Sequence, residues 1–325
     1  MSIITVRQAL NDAMREEMIR DESVFIIGCD VGLRGNAFGV TKGLMEEFGE
    51  KRVRDTPISE ATIAGLGVGA AAAGMRPIVE ILYSDWITLA MDQLVNMAAK
   101  MRYMFGGKIN MPMVVRAPFG GGGGMAAQHS QSFEAWFNHI PGLKVVTPIT
   151  PHDVKGLLKS AIRDDNPVVF FEHKRAYTLE GDVPDSDYTV PIGQAAIRRE
   201  GSDVTIVAYS QMALKAQEAA EQLAQEGIAC EVIDLRTLVP LDYESVLKSL
   251  EKTGRIVVCQ EANLRGGMAS DIVAEIIDRG FDLLEGQPVR VGGLNVPMPY
   301  NKGLEEMVIP GVDRIKEGVR KALSD

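Results

Sequence analysis

The chain has 325 residues, 46% hydrophobic and 24% charged, which fits a folded globular protein and exceeds what one ordinary core serves. A formal net charge of −10 excludes nucleic acid or an anionic membrane surface as the main partner. Cys29, Cys230 and Cys259 share no metal-like spacing and lie in apolar runs, so they read as reduced thiols of a cytosolic protein. No apolar run reaches membrane-spanning length, and Met1–Arg20 reads as an amphipathic helix containing acids rather than as a signal segment.

Along the chain, Thr5 to Gln8 has the pattern of a capping box, with Val6, Leu10, Ala13, Met14 and Met18 on one apolar face behind it. Ser23–Gly28 is a short continuous apolar run, as in a parallel strand covered on both faces. It ends in the turn Cys29-Asp30-Val31-Gly32, at the strand end where open α/β sheets bind ligands. Further strands are expected over Arg76–Leu82, Met111–Arg116, Leu143–Thr147 and Val168–Glu172. A long helix is expected over Asp85–Met104, and another from Thr150-Pro151 to Arg163. Leu179–Asp187, rich in Gly, Pro and Asp, reads as a linker.

Beyond the linker, strand and helix alternate again. Strands are expected at Asp203–Tyr209, Ala229–Leu235, Arg255–Gln260 and Val289–Val291. Helices are expected at Gln211–Glu226, Asp242–Lys252, Gly267–Arg279 and Asp313–Leu323. Such alternation predicts an α/β fold of two doubly wound domains with mostly parallel sheets, at 1–180 and 190–325.

The stretch with most chemical content is Arg54–Gly74. Ser59 stands where a helix cap belongs, Glu60 opens the helix, and Ala64, Gly65, Gly67, Gly69 and Ala70 leave it almost without side-chain bulk. Glu60 is either an ordinary N-terminal acid or a functional carboxyl on a helix that lets a flat ligand or another backbone come close. Gly120–Gly124 fits neither the dinucleotide nor the P-loop spacing; it is a flexible loop or one that admits a cofactor ring. His129, among polar residues after it, is a surface group or a proton donor. His139 reads as packing, His152 as a helix-start residue, and His173 as part of a basic cluster with Lys174 and Arg175. No pair has zinc-site spacing.

Taken together, DTPISEATIAG, YMFGGK, AAQHSQSFEAWFNHIPGLKVVTP, KGLLKSAIRDDNPVVFFEHK and VIDLRTLVPLD resemble the β subunit of the thiamin-diphosphate-dependent decarboxylating component of 2-oxoacid dehydrogenase complexes. The resemblance runs over essentially the whole chain. It implies a pyrimidine-binding domain followed by a transketolase C-terminal-like domain that serves assembly and acyltransferase docking. Glu60 would hydrogen-bond N1′ of the cofactor's aminopyrimidine, and Leu82 and Trp86 would pack near that ring. His129 would line the channel and help transfer the acyl group to a lipoyl arm. Ala161, Ile162, Asp164 and Asn166, with Met113, match a segment that supplies oxygens to a structural potassium ion in relatives; the same residues also fit a plain helix end before Pro167.

Where relatives have Gly-Glu-Asp-Val, this chain has Gly28-Cys29-Asp30-Val31, so a thiol replaces an acid near the cofactor; it is a buried inert thiol or an oxidation-sensitive one. The Gly-Asp-Gly…Asn motif for magnesium and diphosphate is missing, which implies an α subunit that carries it and an assembly of two α and two β subunits. The reaction implied is oxidative decarboxylation of pyruvate or a branched-chain 2-oxoacid with acylation of a lipoyl acyltransferase. An acetoin dehydrogenase β subunit, a non-catalytic scaffold that keeps the fold, and a self-sufficient transketolase-type enzyme are the alternatives.

Overall fold

The computed structural model describes residues 1–324. The chain divides into two compact units: Met1–Phe119 with Trp136–Ile192, and Gly120–Ala135 with Gly193–Asp325.

The first unit begins with β1 (Ser2–Thr5) and α1 (Val6–Arg20), followed by β2 (Val24–Gly28), α2 (Leu44–Phe48), β3 (Val53–Asp55), α3 (Glu60–Ala72), β4 (Arg76–Glu80), α4 (Ala99–Met104) and β5 (Val114–Phe119). The short helix α5 (Glu134–Asn138) spans the boundary between units. After it come β6 (Lys144–Val146), α6 (Pro151–Arg163), β7 (Val168–His173) and β8 (Glu180–Val183). Six strands of this unit lie in the order β6-β7-β5-β4-β2-β3, each parallel to its neighbour. The side chains of β2, β4, β5, β6 and β7 are buried almost throughout, which is why these strands read as apolar runs, whereas the edge strand β3 is exposed at Arg54 and Asp55 and gave no such signal.

Four expectations are corrected here. The N-terminal twenty residues are a strand and then a helix: β1 pairs antiparallel with β8, so the helix starts only at Val6. Thr5 does cap it, accepting from Gln8 N at 3.2 Å, but the Gln8 side chain donates to Asp12 instead of closing a capping box. The stretch expected as one helix over Asp85–Met104 is a 3-10 segment (Ser84–Ala90), a π segment (Gln93–Ala98) and then α4, and it is packed on α3; a Cβ on Gly65 would sit 3.6 Å from Gln93 Cγ. The third sheet strand is displaced to Val114–Phe119, since register with Ile78–Glu80 and Val168–His173 decides its extent. Within the expected linker, Glu180–Val183 is the strand that β1 recruits.

The second unit contains β9 (Ala196–Arg199), β10 (Val204–Ala208), α7 (Gln211–Ala224), β11 (Cys230–Asp234), β12 (Thr237–Val239), α8 (Tyr243–Thr253), β13 (Ile256–Asn263), α9 (Met268–Gly280), β14 (Val289–Gly293), α10 (Lys302–Val308) and α11 (Val312–Ser324). Its sheet runs β14-β13-β10-β11-β9, parallel except for the antiparallel edge strand β9. All helices and strands expected here are present within a few residues. The edge strand, β12 and α10 are additional, being too short or too polar to show a period. Among the described residues no helix is long and apolar enough to cross a membrane.

Candidate functional site

The carboxyl ends of β4, β2 and β3, three neighbours in the sheet, collect the residues singled out for the cofactor ring. β2 delivers Cys29, β3 leads into the loop before Glu60, and β4 leads to Leu82 and Trp86. Glu60, Cys29, Leu82 and Trp86 are all half-buried. Ser59 precedes α3 in extended conformation, and its hydroxyl donates to Thr62 Oγ1 at 2.9 Å rather than capping the backbone. The N-terminal N–H groups of α3 therefore lack that cap, which leaves the positive end of the helix dipole to Glu60 and to whatever binds beside it. Gly67 is required by packing: a Cβ there would come within 2.4 Å of Val79 Cγ2 on β4.

The turn after β2 is held by Asp55, whose carboxylate accepts from Gly32 N at 2.6 Å and Leu33 N at 3.3 Å. Asp30 and Tyr83, in the turns after β2 and β4, both take positive φ (57° and 70°), a strained backbone that clusters at binding sites. Burial raises the Cys29 thiol above its usual pKa, and the carboxylates of Asp30, Asp55, Glu60 and Glu80 raise it further, so it stays protonated at neutral pH. Thr56 Oγ1, in the same loop as Glu60, is buried without a hydrogen-bond partner in the protein. Strand ends, a small-residue helix N-terminus with an acid and an unsatisfied hydroxyl suit a polar, flat cofactor ring, so the residues present fit the pyrimidine end of thiamin diphosphate.

Beneath this edge lies a buried ionic chain that the sequence reading missed. Arg116 forms a bidentate pair with Glu172 (2.5 and 2.9 Å) and donates to Glu80 Oε2 at 2.8 Å. Asn36 Nδ2 donates to the same Glu80 oxygen at 2.9 Å, and the Tyr177 hydroxyl donates to Glu172 at 2.9 Å. Burial pushes the Glu80 carboxyl up, against the pull of Arg116 and Asn36, while the two glutamates outweigh burial and keep Arg116 charged. The signal was present: one charge inside each of the apolar strands around Glu80, Arg116 and Glu172 calls for a partner.

The segment Ala161 to Asn166 ends α6. Ile162 O and Asp164 O each accept from Arg76 Nη1 at 3.1 Å, and Met113 O accepts from Val168 N at 2.9 Å. Ala161 O accepts from Asp164 N, and Asn166 Oδ1 from Arg102 Nη1 at 2.7 Å. Asp164 pairs with Lys144 and accepts from Asn166 N and Nδ2; burial works to raise it, but these partners hold it below its ordinary value. No group of three or more His, Cys, Asp or Glu arranged for a metal exists among the described residues, so a cation here would rest on carbonyl oxygens. Each carbonyl has a second lone pair, and an oxygen-only donor set suits a hard monovalent cation.

His129 belongs to the second unit, in the segment Gly120–Ala135. The glycine run is not a loose linker. Gly121 N donates to Glu261 Oε1 at 2.6 Å, and Gly122 N and Gly124 N donate to the two oxygens of Glu305 at 2.8 and 2.7 Å. Gly120, Gly122 and Gly124 all have φ between 65° and 88°, the left-handed region where only glycine is unstrained. His129 is half-buried, and its N–H approaches Ala126 O at 3.5 Å.

Comparison with known proteins gives a consistent result. Residues 2–180 match the transketolase pyrimidine-binding domain, and residues 193–315 match the transketolase C-terminal domain. The chain is 46% identical to the β subunit of acetoin:2,6-dichlorophenolindophenol oxidoreductase of Bacillus subtilis, over 96% of this chain and 95% of that protein. It is 46% identical to the 2-oxoisovalerate dehydrogenase β subunit of the same organism, over 99% of each. It is 48% identical to the pyruvate dehydrogenase E1 component β subunit of Rickettsia conorii, over 98% of each. A solved split-gene transketolase, described as an inactive β4 tetramer, superposes with a TM-score of 0.81 over 99% of this chain and 98% of that one; at 24% identity it supports the fold.

Proposed function

We propose a role for each of these residues on one premise: the chain belongs to the family of β subunits of the 2-oxoacid and acetoin dehydrogenases, built on the transketolase fold. On our reading it is the β subunit of a thiamin-diphosphate-dependent oxidoreductase that, with an α subunit, oxidatively decarboxylates a 2-oxoacid, pyruvate or branched-chain, and acylates a lipoyl group. The carrying observation is Glu60, which opens a glycine-faced helix after β3, the neighbour in the sheet of β2, which leads to Cys29, and next but one to β4, which leads to Leu82 and Trp86. Acetoin is the second reading for the substrate, because relatives named for it are as similar as those named for oxoacids.

Thiamin diphosphate, when bound, supplies the electron sink for decarboxylation. Glu60 holds a proton against the pyrimidine nitrogen N1′, and the partly buried helix N-terminus strengthens that hydrogen bond relative to water. Leu82 and Trp86 give the ring an apolar wall that excludes water. Cys29, kept as a neutral thiol, adds no charge to a turn already bordered by acids. His129 would give a proton to the lipoyl sulfur released when the disulfide opens and the other sulfur takes the acyl group. The magnesium ion and the diphosphate fall to the α subunit, in a heterotetramer of two α and two β. In our reading residues 1–180 serve the pyrimidine and residues 190–325 serve assembly and acyltransferase docking. The cytoplasm is the compartment we assign.

For the potassium ion, the carbonyls of Met113, Ala161, Ile162 and Asp164, with Asn166, are the ligands we propose. A melting temperature of the complex that is higher in potassium than in lithium chloride at equal ionic strength supports this; equal melting in the two salts rejects it.

Glu60→Gln tests the main reading. In the complex with its α subunit, turnover is expected to fall at least roughly hundred-fold, as for loss of a general acid–base group, with unfolding unchanged. Turnover within a few-fold of the parent would remove Glu60 from its role. His129→Ala is expected to impair lipoyl acylation more than dye-coupled decarboxylation; equal losses in both would contradict the assignment.

A further inference from the structure

Glu134 is fully buried, five residues after His129, on the short helix that closes the His129 segment. One oxygen accepts from the Tyr209 hydroxyl at 2.7 Å, and the other is buried without a hydrogen-bond partner. Tyr209 follows β10 directly, and the next residue, Ser210, takes a positive φ of 52° at the start of α7. The opposite end of the segment is fixed by Glu261 and Glu305 through the glycine amides. His129 therefore sits on a strap with one end tied to α10 and β13, and the other to the β10–α7 junction.

We infer that Glu134 is a positioning residue: its hydrogen bond with Tyr209 anchors the C-terminal end of the strap and so fixes His129. The inference rests on the acyl-transfer reading of His129 for its catalytic consequence only. The groups that act on Glu134 are the Tyr209 hydroxyl from the β10–α7 junction, its own backbone N–H and, at longer range, the Glu261 carboxylate on β13. No cation is among them in the described residues. A carboxylate with one lone hydroxyl partner and a second acid nearby is costly to ionise in a dry site. Burial, with Glu261 adding, pushes the carboxyl up to about 7. Rising pH thus places an unpaired charge under the strap at the end of the neutral range.

The test uses the reconstituted α/β complex with Tyr209→Phe and Glu134→Gln, read by hydrogen exchange of segment 125–133 and by the ratio of lipoyl acylation to decarboxylation from pH 6 to 8.5. Removing the single hydroxyl partner is expected to lower acylation roughly ten-fold and to speed exchange of the segment, with decarboxylation little changed. The glutamine keeps a neutral side chain of the same shape. It is expected to retain acylation at pH 6 and to abolish the alkaline fall of the parent. Parent-like exchange in Tyr209→Phe, or an unaltered pH profile in Glu134→Gln, overturns the proposal. If His129→Ala leaves acylation intact, the reading of His129 fails separately, and the exchange of 125–133 in Tyr209→Phe decides the positioning role.

Discussion

At the scale of single residues, charge burial decides most of what is notable. Cys29 is partly buried and surrounded by Asp30, Asp55, Glu60 and Glu80, and burial and all four carboxylates oppose the thiolate. Burial likewise lifts Cys230 to about 11 and Cys259 further still. Alkylation at pH 7.5 is therefore expected to be slower in the native protein than in the unfolded chain for all three thiols, by at least about ten-fold for Cys230 and Cys259, since the thiolate is the nucleophile. Fast modification of Cys29, read by mass spectrometry of the peptide, would contradict this and favour a redox-sensitive role.

The same logic gives a pH dependence for Glu134. Its ordinary value is 4.5 and its folded value about 7, so between these two the folded state binds more protons than the unfolded state. Stability then falls as pH rises through that window and levels off above it. Glu134→Gln lacks this loss, so its melting temperature relative to the parent should climb from pH 4.5 to 7 and then stay constant. A difference independent of pH would show that the buried carboxyl does not titrate there.

At the scale of elements, the parallel strands and the helices that cover them were legible because apolar runs and 3.6-residue periods state them directly. β10, α7, β11, α8, β13 and α9 fall within a few residues of their expected bounds. What failed did so for physical reasons. β1 and β8 are polar or short and exist because each supplies the other's hydrogen bonds, a long-range fact that no window of sequence contains. The irregular helix after Tyr83 has a regular composition, so its 3-10 and π turns are not legible in the sequence; the segment lies against α3 near Gly65. For the candidate site, the sequence singles out Glu60 and His129 as candidates but not the carboxylates that hold the glycine run or the Arg116 chain, because these link residues as far apart as Gly122 and Glu305.

The Arg116 chain also belongs to the element scale, since it ties β4, β5 and β7 together from inside the sheet. Arg116→Met leaves Glu80 and Glu172 buried beside one another without a cation. It is expected to cost roughly 3–5 kcal/mol. Denaturant unfolding should show it; a variant that unfolds like the parent would mean that the two carboxyls are protonated in the native state.

At the scale of the molecule, Glu60 lies in the first compact unit and His129 in the segment Gly120–Ala135 grouped with the second, while both fall within residues 2–180 that match the pyrimidine-binding domain. The chain matches two domains of the transketolase type, and relatives at 46 to 48% identity carry three different substrate names. This is understandable physically. In the proposed function the residues toward the cofactor serve chemistry common to all three reactions, so they carry no choice of substrate. The measurement that tests the central claim most directly is decarboxylation by this chain mixed with its α subunit, thiamin diphosphate and magnesium. Pyruvate, branched-chain 2-oxoacids and acetoin would be offered in turn. Turnover of one of them by the mixture, and by neither subunit alone, is the predicted result. Absence of turnover from a cofactor-loaded complex would contradict it and make the chain a scaffold that keeps the fold.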